Sequence, residues 1–245
     1  METDHQRDCT LITGASSGLG AAIARTLSSR HVLAVHGRDQ ARLSQVLASC
    51  ERAEAHRFWT QDLAQTGQVA ASFADFTRQQ KLSVRNFIHC AGEVAVTAAR
   101  QSDLAQARRL FGVNVFSVFA LLPVLLAQGT LRNIVLVSSA ASLCGEKGVA
   151  LYSATKGAVN ALVKSLAVEL GPAVRVNAIL PGLTDTPMVQ GTLANPEALS
   201  QLKSIYPLGF GEPADTSAAA TFLLSDAAAW MTGALLVVDG GRTLV

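Results

Sequence analysis

Charged residues are scarce in this chain, and no run of like charge occurs in it. Asp, Glu, Lys and Arg together make up 16% of its 245 residues, and the formal net charge is +2. A nucleic acid or an anionic membrane is recognised by a basic block, so neither partner is indicated. Because 49% of the residues are hydrophobic, a disordered chain is excluded and a globular protein with a fully buried sheet is expected.

Cysteine and histidine are also few, and both are scattered. Cys9, Cys50, Cys90 and Cys144 form no C-x-x-C pair, and the five histidines show no metal-binding spacing. We therefore expect no metal site. Free thiols indicate a reducing compartment, and the polar segment 1–8 contains no apolar signal core, so a cytoplasmic location is expected.

One apolar run, 113–126, is interrupted by Asn114, Ser117 and Pro123. A helix needs about 20 predominantly apolar residues to cross a bilayer. This run is shorter than that and broken by polar residues, so we expect no membrane-spanning segment.

Short apolar runs alternate with segments of helical periodicity along the chain. This alternation predicts an α/β fold with a doubly wound parallel sheet of about seven strands and helices on both faces. No repeat or linker divides the chain. The predicted strands are 9–13, 31–36, 55–60, 84–90, 132–138, 174–180 and 235–239. Candidate ligand-binding residues lie just past the carboxyl ends of these strands, where open α/β sheets bind ligands.

A glycine-rich turn, T-G-A-S-S-G-L-G at 13–20, follows the first predicted strand and precedes a predicted helix. Glycines let the backbone approach a pyrophosphate, and a helix N-terminus offers free N–H groups. The spacing differs from the G-x-G-x-x-G fingerprint, so a plain strand-to-helix turn is the alternative. The candidate cofactor contacts in this turn are Gly14, Ser16, Ser17, Gly18, Leu19 and Gly20.

The second predicted strand ends at Gly37, Arg38 and Asp39. A guanidinium matches a phosphate in charge and geometry, so Arg38 favours NADP, which carries a 2′-phosphate. Asp39 leaves NAD open, because its carboxylate could hold a ribose hydroxyl or could cap the next helix.

Further candidates follow the third and fourth predicted strands. Asp62, with Leu63 beside it, could accept a hydrogen bond from an adenine amino group or could cap a helix. Ala91 and Gly92 are small enough to allow close approach of a cofactor. Asn114 lies in the middle of a long predicted helix, 103–126, although asparagine is a mediocre helix former. Asn114 is therefore either satisfied locally or part of a buried polar network that holds water.

Ser139, Tyr152 and Lys156 form the central candidate for chemistry. Ser139 ends the fifth predicted strand, and a spacing of four places Tyr152 and Lys156 on one helix face. A nearby ammonium favours the ionised form of a phenol, which makes the phenol a usable proton donor or acceptor near neutral pH. The alternative is a surface pair on an amphipathic helix.

The sixth predicted strand leads into a segment rich in proline and glycine. Residues 186–212 have mixed periodicity, which predicts a mobile flap over a substrate site. The candidate cofactor contacts at the start of this region are Pro181, Gly182, Leu183, Thr184 and Thr186.

Taken together, these motifs resemble those of the short-chain dehydrogenase/reductase family. The shared features are T-G-x-x-x-G-x-G at 13–20, Asn114, Ser139, the Tyr152-x-x-x-Lys156 pair, and Pro181-Gly182 followed by Thr186. The resemblance covers nearly the whole chain. It implies one Rossmann-type domain, 1–245, and a nicotinamide-dependent oxidoreductase.

The resemblance also implies a role for each catalytic residue. Tyr152 would be the general acid in reduction, and Lys156 would lower its pKa and bind the nicotinamide ribose. Ser139 would polarise the substrate carbonyl, and Asn114 would complete a proton relay through water to Lys156. No metal takes part.

For the cofactor, the resemblance implies NADP(H) as the preferred form and NAD as the alternative. Arg38 would bind the 2′-phosphate and Asp62 the adenine. Thr186 and the backbone near Leu183 would meet the carboxamide.

One departure from the family pattern is His89-Cys90, which stands where the family usually has Asn-Asn. The departure removes amide hydrogen bonds that support the sheet and the cofactor loop, and His89 and Cys90 must replace or forgo them. We expect a structural role for His89, with a catalytic base as the alternative, and a buried, unreactive thiol for Cys90.

The substrate is indicated only as a class. The predicted lining, which includes Ala141, Leu143 and Val149, is small or apolar, and this suits a ketone on an apolar or acyl chain. The chain most resembles 3-oxoacyl-[acyl-carrier-protein] reductases, with a small-molecule or carrier-bound substrate. The alternatives are an alcohol or sugar dehydrogenase that works oxidatively and a non-catalytic nucleotide-binding protein. Arg108, Arg109 and Arg132 either form a docking patch for an acidic carrier or are solvated.

The resemblance further implies a homotetramer, since family members are commonly tetramers whose contacts involve two long central helices and the C-terminal strand. The apolar run 113–126 and the terminal pair Leu244-Val245 are compatible with this assembly.

Overall fold

A single parallel sheet organises the chain in a computed structural model that describes residues 7–190, 199–200, 202 and 204–245. The strands are β1 (Arg7–Thr13), β2 (Leu33–Gly37), β3 (Arg57–Thr60), β4 (Leu82–His89), β5 (Asn133–Val137), β6 (Arg175–Pro181) and β7 (Leu235–Val238). Their order is β3-β2-β1-β4-β5-β6-β7, and every neighbouring pair is parallel. The predicted seven-stranded, doubly wound sheet is confirmed.

Seven α-helices cover the two faces of this sheet in the part of the chain that the structure describes. They are α1 (Gly18–Leu27), α2 (Gln40–Ala48), α3 (Thr66–Gln80), α4 (Leu104–Phe111), α5 (Ser117–Ala127), α6 (Ala150–Leu170) and α7 (Pro213–Leu224). Helices α3, α5 and α6 pack on one face, and α1, α2 and α7 pack on the other.

Two apolar cores lie between the sheet and these helix layers. Successive residues of a strand point to opposite faces, so Leu11 and Phe87 enter one core while Ile12 and Ile88 enter the other. Both faces of the central strands are therefore buried. This explains why these strands read as continuous apolar runs in the sequence rather than as alternating ones.

The long helix predicted over 103–126 is interrupted in the structure. A π-helical segment, Gly112–Phe116, separates α4 from α5 and contains Asn114. Single π-helical turns insert an extra residue into an α-helix and are frequent at functional sites. The helical periodicity of the sequence runs through this turn, so it did not reveal the break.

The helical stretch from Leu104 to Ala127 has 24 residues and is, by length and composition, the one described helix that could cross a membrane. The short length of the run 113–126 was the argument against a membrane span. That argument is wrong, because the helix begins at Leu104 and is longer than the run. Half of its apolar window is buried. Val118, Leu121 and Leu125 have no exposed surface and belong to the core beneath the sheet.

Candidate active site

A cleft opens where the carboxyl ends of β1, β2, β4 and β6 meet. Twelve of the eighteen predicted cofactor contacts line this cleft: Gly14, Ser16, Ser17, Gly18, Leu19, Gly20, Arg38, Asp62, Leu63, Ala91, Gly92 and Thr186. The six that do not line it are Tyr152, Lys156, Pro181, Gly182, Leu183 and Thr184. Seven further lining residues were not predicted: His36, Gly37, Cys90, Glu93, Val113, Pro187 and Met188.

The glycine-rich turn brings its backbone against the loop after β4. Gly14 has φ +68°, and a Cβ on it would lie 2.6 Å from the Cα of Ala91. A Cβ on Gly20 would lie 2.3 Å from the carbonyl oxygen of Gly14. Only glycine fits at these two positions. The N-cap residue of α1, Ser17, makes no side-chain cap, so the first turn keeps free N–H groups that suit a pyrophosphate.

The two charged residues at the tip of β2, Arg38 and Asp39, make different contacts. The Asp39 side chain accepts a hydrogen bond from Arg42 N at 3.1 Å and caps α2, so the capping alternative for Asp39 is confirmed. Arg38 lines the cleft, and its Nη1 donates to Oε1 of Glu93 at 2.9 Å. Of the two residues, Arg38 is therefore the one placed to meet a cofactor.

Asp62 also lines the cleft, and its Oδ1 accepts a hydrogen bond from Ala64 N at 3.0 Å. This bond organises the turn before α3, and the cleft position keeps the carboxylate available to an adenine. The helix-cap alternative for Asp62 is wrong, because the N-cap residue of α3 is Gln65 and it has no side-chain cap. The adenine contact stays a prediction.

Ser139, Tyr152 and Lys156 converge beside the cleft. The Ser139 side chain lies near the Tyr152 hydroxyl and lowers the pKa of that phenol. The Nζ of Lys156 donates to the carbonyl oxygen of Val137, the last residue of β5, at 2.8 Å. A Cβ on Gly92 would lie 3.4 Å from this Nζ, so the ammonium lies directly behind Gly92, a residue of the cleft lining.

Burial controls the protonation of this group. It raises the pKa of Tyr152 to about 12, although the nearby Ser139 side chain opposes the rise. It also lowers the pKa of Lys156 to about 8. Nζ lies 5.7 Å from the Tyr152 ring centroid, over the ring. Desolvation of the phenol outweighs the effects of its neighbours, and the expected lowering of the Tyr152 pKa by Lys156 stays a prediction.

Asn114 is fully buried and satisfied locally. Its Oδ1 accepts from Glu93 N at 2.8 Å, and its Nδ2 donates to Glu93 O at 3.0 Å and to Thr155 Oγ1 at 2.9 Å. A Cβ on Gly92 would lie 3.6 Å from Oδ1, so Asn114 and Lys156 border the same small space. The water relay stays a prediction.

His89 replaces the missing amide hydrogen bonds. Its Nδ1 pairs with Thr13 Oγ1 at 2.9 Å and its Nε2 with Ser117 Oγ at 3.3 Å, and Thr13 Oγ1 also accepts from Ala91 N at 3.2 Å. The ring thereby joins β1, β4, α5 and the cofactor loop. Burial, assisted by Lys156, lowers the pKa of His89 to about 3. A neutral, enclosed ring outside the cleft lining has a structural role.

The cysteines carry no activated thiol. Cys90 borders the cleft, and burial raises its pKa to about 12. Cys144 is partly exposed, and its Sγ donates to Ala140 O at 3.4 Å. All four cysteines are free. Among the described residues, no cluster of three or more His, Cys, Asp or Glu side chains could hold a metal ion.

The first residues after β6, Gly182 to Thr184, do not line the cleft and make contacts elsewhere in the fold. A Cβ on Gly182 would lie 2.8 Å from the Cα of Asp239, and Leu183 N donates to the Tyr206 hydroxyl at 3.0 Å. Thr184 forms an isolated bridge with Gly211. The predicted cofactor contacts from Pro181 to Thr184 thus pack against β7 and Tyr206. Of the predicted contacts in this segment, only Thr186 lines the cleft.

These contacts correct part of the predicted flap, 186–212. Tyr206 is only 5% exposed, and it packs edge to face against Phe210. The end of the segment therefore belongs to the folded body. Residues 191–198, 201 and 203 of the predicted flap lie outside the described residues.

The fold and the cleft at its carboxyl edge define a class of protein: a Rossmann-type oxidoreductase. A family model described as "Enoyl-(Acyl carrier protein) reductase" matches residues 14–243. The chain belongs to the short-chain dehydrogenase/reductase family. It is an oxidoreductase that acts on alcohol or ketone groups.

Named relatives span the whole chain. The chain is 35% identical over 260 residues to 2-(S)-hydroxypropyl-CoM dehydrogenase 3 of Xanthobacter autotrophicus, covering 100% of both. It is 33% identical over 244 residues to galactitol 2-dehydrogenase (L-tagatose-forming) of Cereibacter sphaeroides, covering 96% of this chain and 95% of that one. These relatives are dehydrogenases, so a 3-oxoacyl reductase is not shown.

A similar solved structure is a provisionally named NAD(P)-dependent gluconate 5-dehydrogenase from Beutenbergia cavernae, which contains bound NADP at low occupancy. The TM-score is 0.90 and the identity 29%, with 98% of each chain covered. This likeness supports binding of a nicotinamide nucleotide in the cleft. The preference between NADP and NAD depends on the residues around Arg38.

The buried His89 predicts loss of stability in acid. A histidine with a folded-state pKa near 3 stays neutral when folded but takes up a proton on unfolding below about pH 6.5. Its contribution is complete above pH 6.5 and decreases as the pH falls toward 3, by up to about 1.4 kcal/mol per pH unit. His89→Gln should flatten this dependence in urea unfolding measured from pH 7 to 4.

The matched control is His36→Gln, because burial also lowers the pKa of His36, to about 4, while its ring bonds the carbonyl oxygen of Gln61 on the other side of β1. Each single variant should remove part of the slope, and the double variant more. A wild-type slope in His89→Gln would show that His89 is already protonated in the folded protein.

Proposed function

We propose that the protein interconverts a secondary alcohol and a ketone with NADP(H), and that reduction of an apolar ketone is its main direction. The observation that carries the proposal is the proximity of Ser139 and Tyr152 beside a glycine-lined cleft. A phenol with a pKa near 12 holds its proton at neutral pH, which suits a proton donor.

In this proposal, different residues contact the adenosine half and the nicotinamide half of the nucleotide. The turn from Gly14 to Gly20 would hold the pyrophosphate, Asp62 the adenine and Arg38 the 2′-phosphate. Lys156 would hold the nicotinamide ribose and Thr186 the carboxamide. When bound, the nucleotide supplies or accepts the hydride.

The chain's own residues would handle the proton and the carbonyl. The Ser139 hydroxyl would orient the substrate oxygen next to the phenol, and Tyr152 would donate its proton to that oxygen as the alcohol forms. Lys156 would stabilise the phenolate left behind, because a cation favours the ionised form. Asn114 would hold the loop and helix that border the relay space. Oxidation would use the same groups in reverse.

The substrate proposal rests on the small and apolar loop after β5. Ala141 and Val149 are buried, and Leu143 is exposed toward solvent. A 3-oxoacyl thioester or another apolar ketone fits this surface. The second candidate is oxidative dehydrogenation of a polyol or sugar, which is favoured by the galactitol 2-dehydrogenase relative.

The predicted docking patch for an acidic carrier is weakened by the structure. Arg109 donates to Glu93 at 2.6 Å, and Arg132 donates to the carbonyl oxygens of Gly129 and Leu131. Two of the three arginines are thus engaged within the chain. We therefore propose that the substrate is a free small molecule or a thioester rather than a group delivered by a docked carrier protein.

We also propose that residues 1–245 form one NAD(P)-binding domain, with 186–212 as the substrate-covering segment, in a cytoplasmic protein. The alternative of a non-catalytic nucleotide-binding protein finds no support in the site, because Asn114, Ser139, Tyr152 and Lys156 are all present and brought together.

Absorbance of the reduced nicotinamide tests the function. NADPH or NADH would be mixed with an acetoacetyl thioester, a diketone, a cyclic ketone and a keto sugar, and the reverse reaction would use galactitol with the oxidised cofactors. We expect the fastest loss of absorbance with NADPH and an apolar ketone. Turnover only of the polyol would favour the second candidate, and no turnover despite cofactor binding would favour the non-catalytic alternative.

Tyr152→Phe tests the proton donor. Removing the hydroxyl should lower kcat by roughly 10²- to 10⁴-fold, which is the usual size of general acid catalysis. Cofactor binding, measured by NADPH fluorescence, should stay within about twofold, because the ring remains in place. A variant with the wild-type rate would show that another group donates the proton.

A homotetramer is proposed from exposed apolar side chains on the two central helices. Phe119 on α5 is 52% exposed and Val168 on α6 is 86% exposed, and Leu244 and Val245 are exposed at the C-terminus. Sedimentation velocity at micromolar concentration should show a tetramer that Phe119→Glu dissociates. The control Val96→Glu, placed in the exposed loop before α4, should stay tetrameric. A wild-type monomer would contradict the proposal.

A further inference from the structure

Glu93 joins two arginines at the rim of the cofactor cleft. Its Oε1 accepts from Arg38 Nη1 at 2.9 Å and from Arg109 Nη2 at 2.6 Å. The three residues come from the end of β2, the loop after β4, and α4. The Glu93 side chain is 22% exposed, against 60% for Arg38 and 47% for Arg109. The carboxylate is therefore the enclosed member of the cluster.

The buried side chain of Asn114 fixes the backbone position of Glu93. Asn114 accepts from Glu93 N and donates to Glu93 O. These two bonds hold the backbone of Glu93, so they constrain where its carboxylate can reach. Because Asn114 bonds only the main chain of Glu93, a change of the Glu93 side chain leaves this support intact.

The Arg38–Glu93 pair crosses the adenosine side of the cleft. In the sheet, β1 lies between β2 and β4, so a bond from the tip of β2 to the loop after β4 spans the carboxyl end of β1. The glycine-rich turn begins at this end. Arg38 and Glu93 both line the cleft together with Asp62 and the turn.

We propose that Glu93 is a specificity-determining residue, whose carboxylate competes with the 2′-phosphate of NADP for the guanidinium of Arg38. This inference rests on the proposed function, in which the cleft binds a nicotinamide nucleotide. A 2′-phosphate must displace the carboxylate from Arg38, while a ribose hydroxyl leaves the pair in place. Arg109 keeps the carboxylate paired when Arg38 turns to the phosphate. Glu93 thus weakens NADP binding more than NAD binding and lowers the ratio of the two affinities.

The charge balance explains the direction of the effect. Two guanidiniums without the carboxylate would present a charge of +2 at this rim, and Glu93 reduces it to +1. An exposed ion pair contributes about 0–1 kcal/mol to stability, so the fold does not require this cluster. A dianionic phosphate, in contrast, must compete with the carboxylate for the guanidinium of Arg38.

Binding of NADP+ and NAD+ to the full chain, without substrate, tests the inference. Isothermal titration calorimetry would measure both dissociation constants for wild type, Glu93→Gln, Arg38→Ala and the double variant. Glu93→Gln should bind NADP+ roughly three- to tenfold more tightly, with NAD+ changed by less than about twofold. In the Arg38→Ala background, Glu93→Gln should no longer tighten NADP+, because the contested guanidinium is gone.

Glu54→Gln is the matched control, since it removes the same charge from an exposed site next to the start of β3, at the opposite end of the sheet. It should leave both affinities unchanged. Thermal unfolding checks the fold of each variant, and Glu93→Ala carries the same prediction if Glu93→Gln does not fold.

Three results would overturn the inference. An unchanged ratio of the two affinities in Glu93→Gln would mean that the ion pair only joins surface elements. Weaker NADP+ binding would mean that Glu93 orients Arg38 toward the phosphate. Tightening that persists in Arg38→Ala would mean direct repulsion without competition. A wild-type chain that binds neither nucleotide would instead refute the proposed function itself, and the inference with it.

Discussion

The buried amide of Asn114 is the constraint on which the site depends. Its hydrogen bonds tie the loop after β4, through Glu93, to Thr155 on α6, the helix that carries Tyr152 and Lys156. Removing the amide would leave buried polar groups unpaired, at a cost of about 1–3 kcal/mol each. The π-helical turn is what aims the amide at both partners. Cofactor cleft and catalytic helix are thus held at a fixed separation by one side chain.

Burial is the second organising factor, because it sets the protonation of every central group. Desolvation keeps the Tyr152 phenol and the Cys90 thiol protonated and the His89 ring neutral, and it weakens the proton affinity of Lys156. The site therefore combines a protonated phenol with an ammonium whose pKa is lowered by burial. The substitution of His89 for an amide is tolerated for the same reason, since a neutral imidazole can pair with both Thr13 and Ser117.

Much of the fold could be predicted from local pattern. Apolar runs such as 132–138 identify strands because both sheet faces are covered, and the alternation with helical segments predicts parallel order. The ends of helices and the π-helical turn at Gly112–Phe116 could not be predicted, because they depend on tertiary bonds. The anchoring of Tyr206 to Leu183 was missed likewise, since a segment rich in proline and glycine looks mobile when its long-range partners are unknown.

The sequence by itself identified the candidate residues for chemistry, since helix spacing places Tyr152 and Lys156 on one face and the glycine pattern marks the turn from Gly14 to Gly20. Only the tertiary structure decided how these residues behave. It assigned Asp39 to the cap of α2, placed Glu93 between Arg38 and Arg109, and raised the Tyr152 pKa through burial. The physical reason is that charge pairing and desolvation act between residues distant in the chain. Composition and spacing do not contain that information.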